Sequence, residues 1–223
     1  MHTELSVELG GDAPALEIPW RSTDPDVRYY DLKTHPELVQ QIPEAQAYPE
    51  LSSFLLRINA PGFQMATAKC DAWSSSKVDP EEEIFGDRKF VSYVDLVFVD
   101  EKDRCTFEKH EAFAKELCRL LGQAPEIAAS VELVIRHSYY HQEKYESEVE
   151  ATQSGTQSSP VRDPEMNDAE GISPMATATG FCLTAYVTGF GDSDHDPVRR
   201  WAIGLNLLQH AIVQLSSNSQ LTP

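Results

Sequence analysis

Apolar residues along this chain fall into runs of period two or period 3.6, and the runs follow one another in the same order twice. In Lys89–Asp100, Phe90, Ser92, Val94, Leu96 and Phe98 share one side of an extended chain, and Val91, Tyr93, Asp95, Val97 and Val99 share the other. Apolar residues on both sides predict a central strand, covered on one face and partly shielded on the other. Ser130–His141 alternates more cleanly. Val131, Leu133, Ile135, His137, Tyr139 and His141 oppose Glu132, Val134, Arg136, Ser138 and Tyr140, which predicts a half-buried strand with its core face on the odd numbers. Gly180–Gly191, with Phe181, Leu183, Ala185 and Val187 on one face, reads as its partner, and Phe63–Trp73 as a further strand.

The longer period marks helices. Phe113, Ala114, Leu117, Leu120 and Leu121 form the apolar stripe of a helix over Thr106–Leu121. The Thr106 hydroxyl is expected to cap its first turn, and Gly122 to end it in the left-handed conformation. Asp196-Pro197 opens a closing helix over 197–215, in which Val198, Trp201, Leu205, Leu208, Ile212 and Leu215 recur at steps of three and four. Pro36–Gln41 predicts a short helix. Leu51–Ile58 fits two templates: Leu51, Leu55 and Ile58 suit a helix begun by Pro49, whereas Phe54, Leu56 and Ile58 suit a strand.

The order helix–turn–strand–strand in 49–100 and again in 106–191 favours the helix for that stretch and predicts an internal duplication. The expected fold is α+β: a two-layer sandwich with a four-stranded antiparallel sheet from a duplicated helix–strand–strand unit, and helices packed on one face. Residues 1–25, broken by Gly10-Gly11, Pro14 and Pro19, read as an N-terminal arm lying on the domain or partly disordered, before a single domain spanning 26–217. Both strand pairs are separated by polar, acidic stretches. The longer one, 143–179, is too poor in apolar residues to offset its ordering entropy and is expected to be a mobile loop. Under the duplication, both loops are expected to leave the same end of the sheet.

Composition narrows the partners. Of 223 residues, 36 are acidic and 18 basic, a formal charge of -18, which disfavours phosphate backbones and anionic lipid surfaces. No basic cluster exceeds Arg199-Arg200, so no nucleic acid is expected. Cys70, Cys105, Cys118 and Cys182 are scattered without metal-type spacing. With no apolar run of membrane-spanning length and no secretory pattern at Met1–Leu5, a cytoplasmic protein is expected.

Candidate chemistry is sparse. His137 and His141 lie four apart, but on a strand that spacing is about 13 Å, too far for one zinc ion with bonds of about 2 Å. Asp192-Ser193-Asp194-His195-Asp196 alternates acids like a calcium loop, yet Pro197 and Ile203 stand where such a loop needs Gly and Glu. Neither a metal nor any other cofactor is expected. Trp73, Tyr139, Tyr140 and Tyr145 fall where strands enter the long loops. With the loops at one end, Trp73, Arg136, His137, Tyr139 and His141 are the expected ligand-binding residues.

Nucleophile-elbow, phosphate-loop, dinucleotide and zincin motifs are all missing from the sequence. The expected function is therefore a non-enzymatic binding or protein-interaction module, for a protein or small-molecule ligand, with homodimerisation through an open sheet edge or the uncovered face as an added route. The rival is a small hydrolase or isomerase-like enzyme with His137 or His141 as base and Asp71 or a turn aspartate as partner. A third reading is an acidic decoy for a nucleic-acid-binding surface.

Overall fold

The computed structural model describes residues 1–11, 13, 15–20, 28–77, 85–141 and 177–219. Within them runs one open, mixed sheet of six strands: β1 (His2–Glu8), β2 (Leu16–Ile18), β3 (Met65–Ser75), β4 (Arg88–Phe98), β5 (Ala129–His141) and β6 (Thr177–Gly191). Its order is β1-β5-β6-β4-β3, with β2 continuing beside β5. The helices are α1 (Pro43–Ala47), α2 (Pro49–Ile58), α3 (Glu101–Arg104), α4 (Phe107–Leu121) and α5 (Asp196–Ser219), preceded by a 3-10 turn at Pro36–Gln41.

The four expected strands do pair antiparallel, but the sheet does not stop there. β1 and β2 run parallel to β5, so the expected four-stranded, all-antiparallel sheet is replaced by a mixed one. Within the expected N-terminal arm, His2–Glu8 and Leu16–Ile18 are thereby strands of the sheet. Without β1, the outer edge of β5 would present unpaired amides to solvent, and β1 satisfies them from Ser130 to Arg136. The partners are more than a hundred residues apart in sequence, so no local pattern announces the pairing.

One face of the sheet carries the core. Phe90, Val94, Leu96 and Phe98 of β4, Val131, Leu133 and Ile135 of β5, and Leu183, Ala185 and Val187 of β6 are buried in one cluster. That cluster also holds Leu51, Phe54, Leu55 and Ile58 of α2, Phe113, Ala114, Leu117 and Leu121 of α4, and Trp201, Leu205, Leu208 and Ile212 of α5. The stretch 51–58 is thus helical, because its stripe Leu51–Leu55–Ile58 meets this core while Leu56 stays exposed. The second face is closed at one end only, where Ile18, Ala68, Val97, Tyr140 and Cys182 form a smaller cluster.

Two helix ends differ from expectation. Thr106 does not cap α4: its hydroxyl donates to the Lys102 carbonyl instead, because the acidic turn before it forms α3, capped by Asp100 accepting from the Asp103 amide at 3.0 Å. Gly122 ends α4 at φ -63 and ψ -13, a right-handed conformation, since its amide still reaches the Cys118 carbonyl.

The central pairing of β4 with β6 is antiparallel, with Arg88 opposite Gly191. The β3–β4 connection therefore leaves the sheet at the end where β6 finishes, and the β5–β6 connection leaves at the other end. The expectation that both loops leave one end is wrong, because neighbouring central strands point in opposite directions. Residues 177–179 belong to β6; the rest of the expected mobile loop 143–179 lies outside the described residues, as does Tyr145. Among the described residues, no helix is long and apolar enough to cross a membrane.

Candidate functional site

Residues aligned across the second face make a band at right angles to the strands. Asp71 of β3 is opposite Tyr93 of β4, Tyr93 opposite Tyr186 of β6, and Tyr186 opposite Glu132 of β5. Trp73 packs edge-on against Tyr93 with ring centroids 6.3 Å apart, and Tyr93 lies 5.8 Å from Tyr186. Arg136 continues the row. Its guanidinium stands 5.5 Å over the Tyr186 ring, donates to the Tyr186 hydroxyl at 3.0 Å, and pairs with Glu8 of β1 at 2.9 Å. β1 therefore both completes the sheet and anchors the one cation of the expected site. Burial first, then crowding by Glu4 and Glu8, pushes the Glu132 carboxyl above its usual range.

Under this band sits Asp95, 6% exposed, accepting a hydrogen bond from the Thr184 hydroxyl at 2.5 Å. Burial raises its carboxyl above the usual range, opposed by the Thr184 bond and by Arg136 and Lys69. A raised folded-state value means the fold prefers the protonated acid. The cost of ionising it is absent well below the unfolded value of about 4, and grows as pH rises through the folded one. Asp95→Asn is accordingly expected to stabilise the protein at pH 7.5 by on the order of 1 kcal/mol, with the gain vanishing near pH 4. Urea unfolding at the two pH values measures this; a loss at pH 7.5 would mean that the carboxylate's contacts outweigh its burial.

At the β3 edge the band opens into a cavity of about 350 Å³. A bulge between Thr67 and Cys70 shapes its wall, held by Asn59, whose amide donates to Thr67 Oγ1 at 2.6 Å and whose Oδ1 accepts from the Thr67 amide at 3.1 Å. Trp20 closes one side by donating from Nε1 to the Ala68 carbonyl at 2.8 Å. Tyr30, Tyr93, Leu55 and Ile42 supply apolar lining, and Arg28, Lys69, Glu44 and Asp71 supply charge. Cys70 also lines it. Burial first, then Glu44, Asp71 and Asp95, push its thiol up to about 12, so it is a protonated wall residue and not a thiolate nucleophile.

The expected site residues are not brought together. Trp73 is level with Ser130 of β5 through Val91 and Thr188, which places it about 23 Å along the strand from His137 at about 3.3 Å per residue. Asp71 lies on the second face. His137 lies on the helix-covered face, stacked on Phe181 at 5.4 Å, about 16 Å further along than Asp71. Tyr139 is exposed at the far end of β5, and His141 there approaches Glu17 of β2 at 3.6 Å. Only Arg136 and Trp73, with Asp71 between them, share the band. Among the described residues, no group of three His, Cys, Asp or Glu side chains is placed to hold a metal ion. The turn Asp192–Asp196 is spent on structure: Arg88 pairs with Asp194, and the Ser193 hydroxyl takes the Asp196 amide at 3.2 Å.

Sequence reasoning missed Tyr186, Glu44, Lys69, Trp20 and Tyr30, which come from five separate segments. One signal was readable: Tyr93 and Asp95 share a face of a strand otherwise rich in valine. No family model matches this chain, and no curated protein or solved structure does either.

Proposed function

We propose that this chain is a non-enzymatic binding or interaction module that receives its ligand in the β3-edge cavity and along the aromatic band beside it. The observation that carries this reading is the continuity of the two: Tyr93 and Asp71 belong to both, and Trp73, 39% exposed, stands at the open end. A concave, aromatic-lined space with a few charged groups is the usual form of a ligand site. The enzyme reading has no comparable support, since His137 and Asp71 lie on opposite faces of the sheet. The recurrence of helix–strand–strand in the element order supports an ancestral duplication as part of the same proposal.

The three tryptophans allow a direct test. Trp20 lines the cavity, Trp73 stands on the band, and Trp201 is fully buried on the core side of α5. In a fragment screen followed by indole N–H resonances, ligands are expected to move the Trp20 or Trp73 signal and leave Trp201 in place. Tyr93→Ala should weaken such ligands at least tenfold, about the worth of one aromatic contact with its buried area. Binding that moves neither signal, or that survives Tyr93→Ala unchanged, would put the site elsewhere.

A further inference from the structure

The cavity at the β3 edge is lined by charges of both signs that do not neutralise one another. Arg28 lies over the Tyr30 ring at 5.9 Å and Lys69 over the Trp20 ring at 5.5 Å. Neither forms an ion pair with Glu44 or Asp71, although all four line the same space of about 350 Å³. Among the described residues, the Asp71 carboxylate accepts only the neighbouring Ala72 amide, at 2.7 Å, and the Glu44 carboxylate accepts no hydrogen bond. Tyr30 and Trp20 hold the two cations over their rings, while Glu44 stands at the start of α1 and Asp71 on β3 two residues beyond Lys69.

We infer that this cavity binds a small zwitterion of the α-amino-acid class, with the ammonium group on Glu44 and Asp71 and the carboxylate on Lys69 and Arg28. The inference rests on the binding-module reading and names its ligand. Two carboxylates and two cations match the two ends of such a molecule, and Leu55, Ile42, Tyr30 and Tyr93 offer an apolar wall for its side chain. The orientation follows from position. Arg28, Lys69 and Asp71 are exposed, whereas Glu44 is half-buried, so the more enclosed charge is negative and the ammonium end points inward. The cavity is also within the usual size of small-molecule sites, about 300–1,000 Å³.

Calorimetric titration of the full chain with leucine, N-acetylleucine and isoamylamine separates the contributions, with indole resonances read on the same samples. Leucine is expected to bind saturably and move the Trp20 signal. N-acetylleucine, lacking the ammonium, and isoamylamine, lacking the carboxylate, should each bind at least tenfold more weakly, as loss of one charge-assisted contact implies. Glu44→Gln should weaken leucine and leave N-acetylleucine unchanged, and Lys69→Met should weaken leucine and leave isoamylamine unchanged. An unmoved Trp201 signal certifies that each variant is folded. Equal binding of isoamylamine and leucine would overturn the inference in favour of a plain organic-cation site. If uncharged fragments move Trp20 while leucine does not, the zwitterion inference falls and the binding module stands. If no probe moves Trp20 or Trp73, both fall.

Discussion

Trp201→Ala is expected to lower the unfolding free energy by about 3–5 kcal/mol, a large share of what a domain of this size possesses. Trp201 is 0% exposed and stands edge-on between Phe90, 4.8 Å away, and Tyr48, 5.7 Å away. Its Nε1 donates to the buried Ser92 hydroxyl at 2.7 Å. Truncation removes apolar area at the junction of α5, the sheet and the start of α2, opens a cavity, and strands a hydroxyl in the core. Trp201→Phe keeps most of the volume and loses the hydrogen bond, so a smaller cost of about 1–2 kcal/mol is expected. Urea unfolding followed by circular dichroism measures both. A loss below about 1 kcal/mol for the alanine variant would show that α5 is not seated on the sheet by this side chain.

Gly189→Ala is expected to cost about 2–4 kcal/mol despite adding a single methyl group. A Cβ at position 189 would collide with the Pro197 carbonyl oxygen and the Trp201 backbone nitrogen. These are backbone atoms of the first turns of α5, which no rotamer change can move aside, so the helix must lift from β6. Gly10→Ala, with nothing within 4 Å of the added methyl, is the control and should change stability little. Because Gly189 and Trp201 act on one contact, the double variant Gly189→Ala/Trp201→Ala should fall short of the summed losses. Additive losses would mean that the two residues report separate contacts.

Both effects were half visible in the sequence. The period of Val198, Trp201, Leu205, Leu208 and Ile212 marks a helix with a strong apolar face, and the Trp201 and Leu205 side chains are indeed fully buried. That Gly189 touches this helix was not visible, because close approach of two backbones leaves no mark in composition. The same division runs through the candidate site. Trp73 and Arg136 were readable as aromatic and charged residues on strands, whereas their company was not. His137 and Asp71 were paired by supposing a common end of the sheet, and the direction of β6 against β4 separates them.

What the sequence determined by itself is local. Period two gave β4 to β6, period 3.6 gave α4 and α5, and alternation on Ser130–His141 correctly assigned the core face to Val131, Leu133 and Ile135. These follow from burial of one face, which every residue in a run records. The tertiary structure alone decided the rest. Recruitment of His2–Glu8 to the edge of β5, the opposite exits of the two long loops, and the meeting of Trp20, Tyr30, Glu44, Lys69 and Tyr93 around one cavity depend on pairings between segments far apart in the chain. Backbone hydrogen bonds carry no side-chain identity, so an edge strand accepts any partner of suitable length and twist. Which partner it takes is settled by the closing of the whole core, and the site forms where those closures meet.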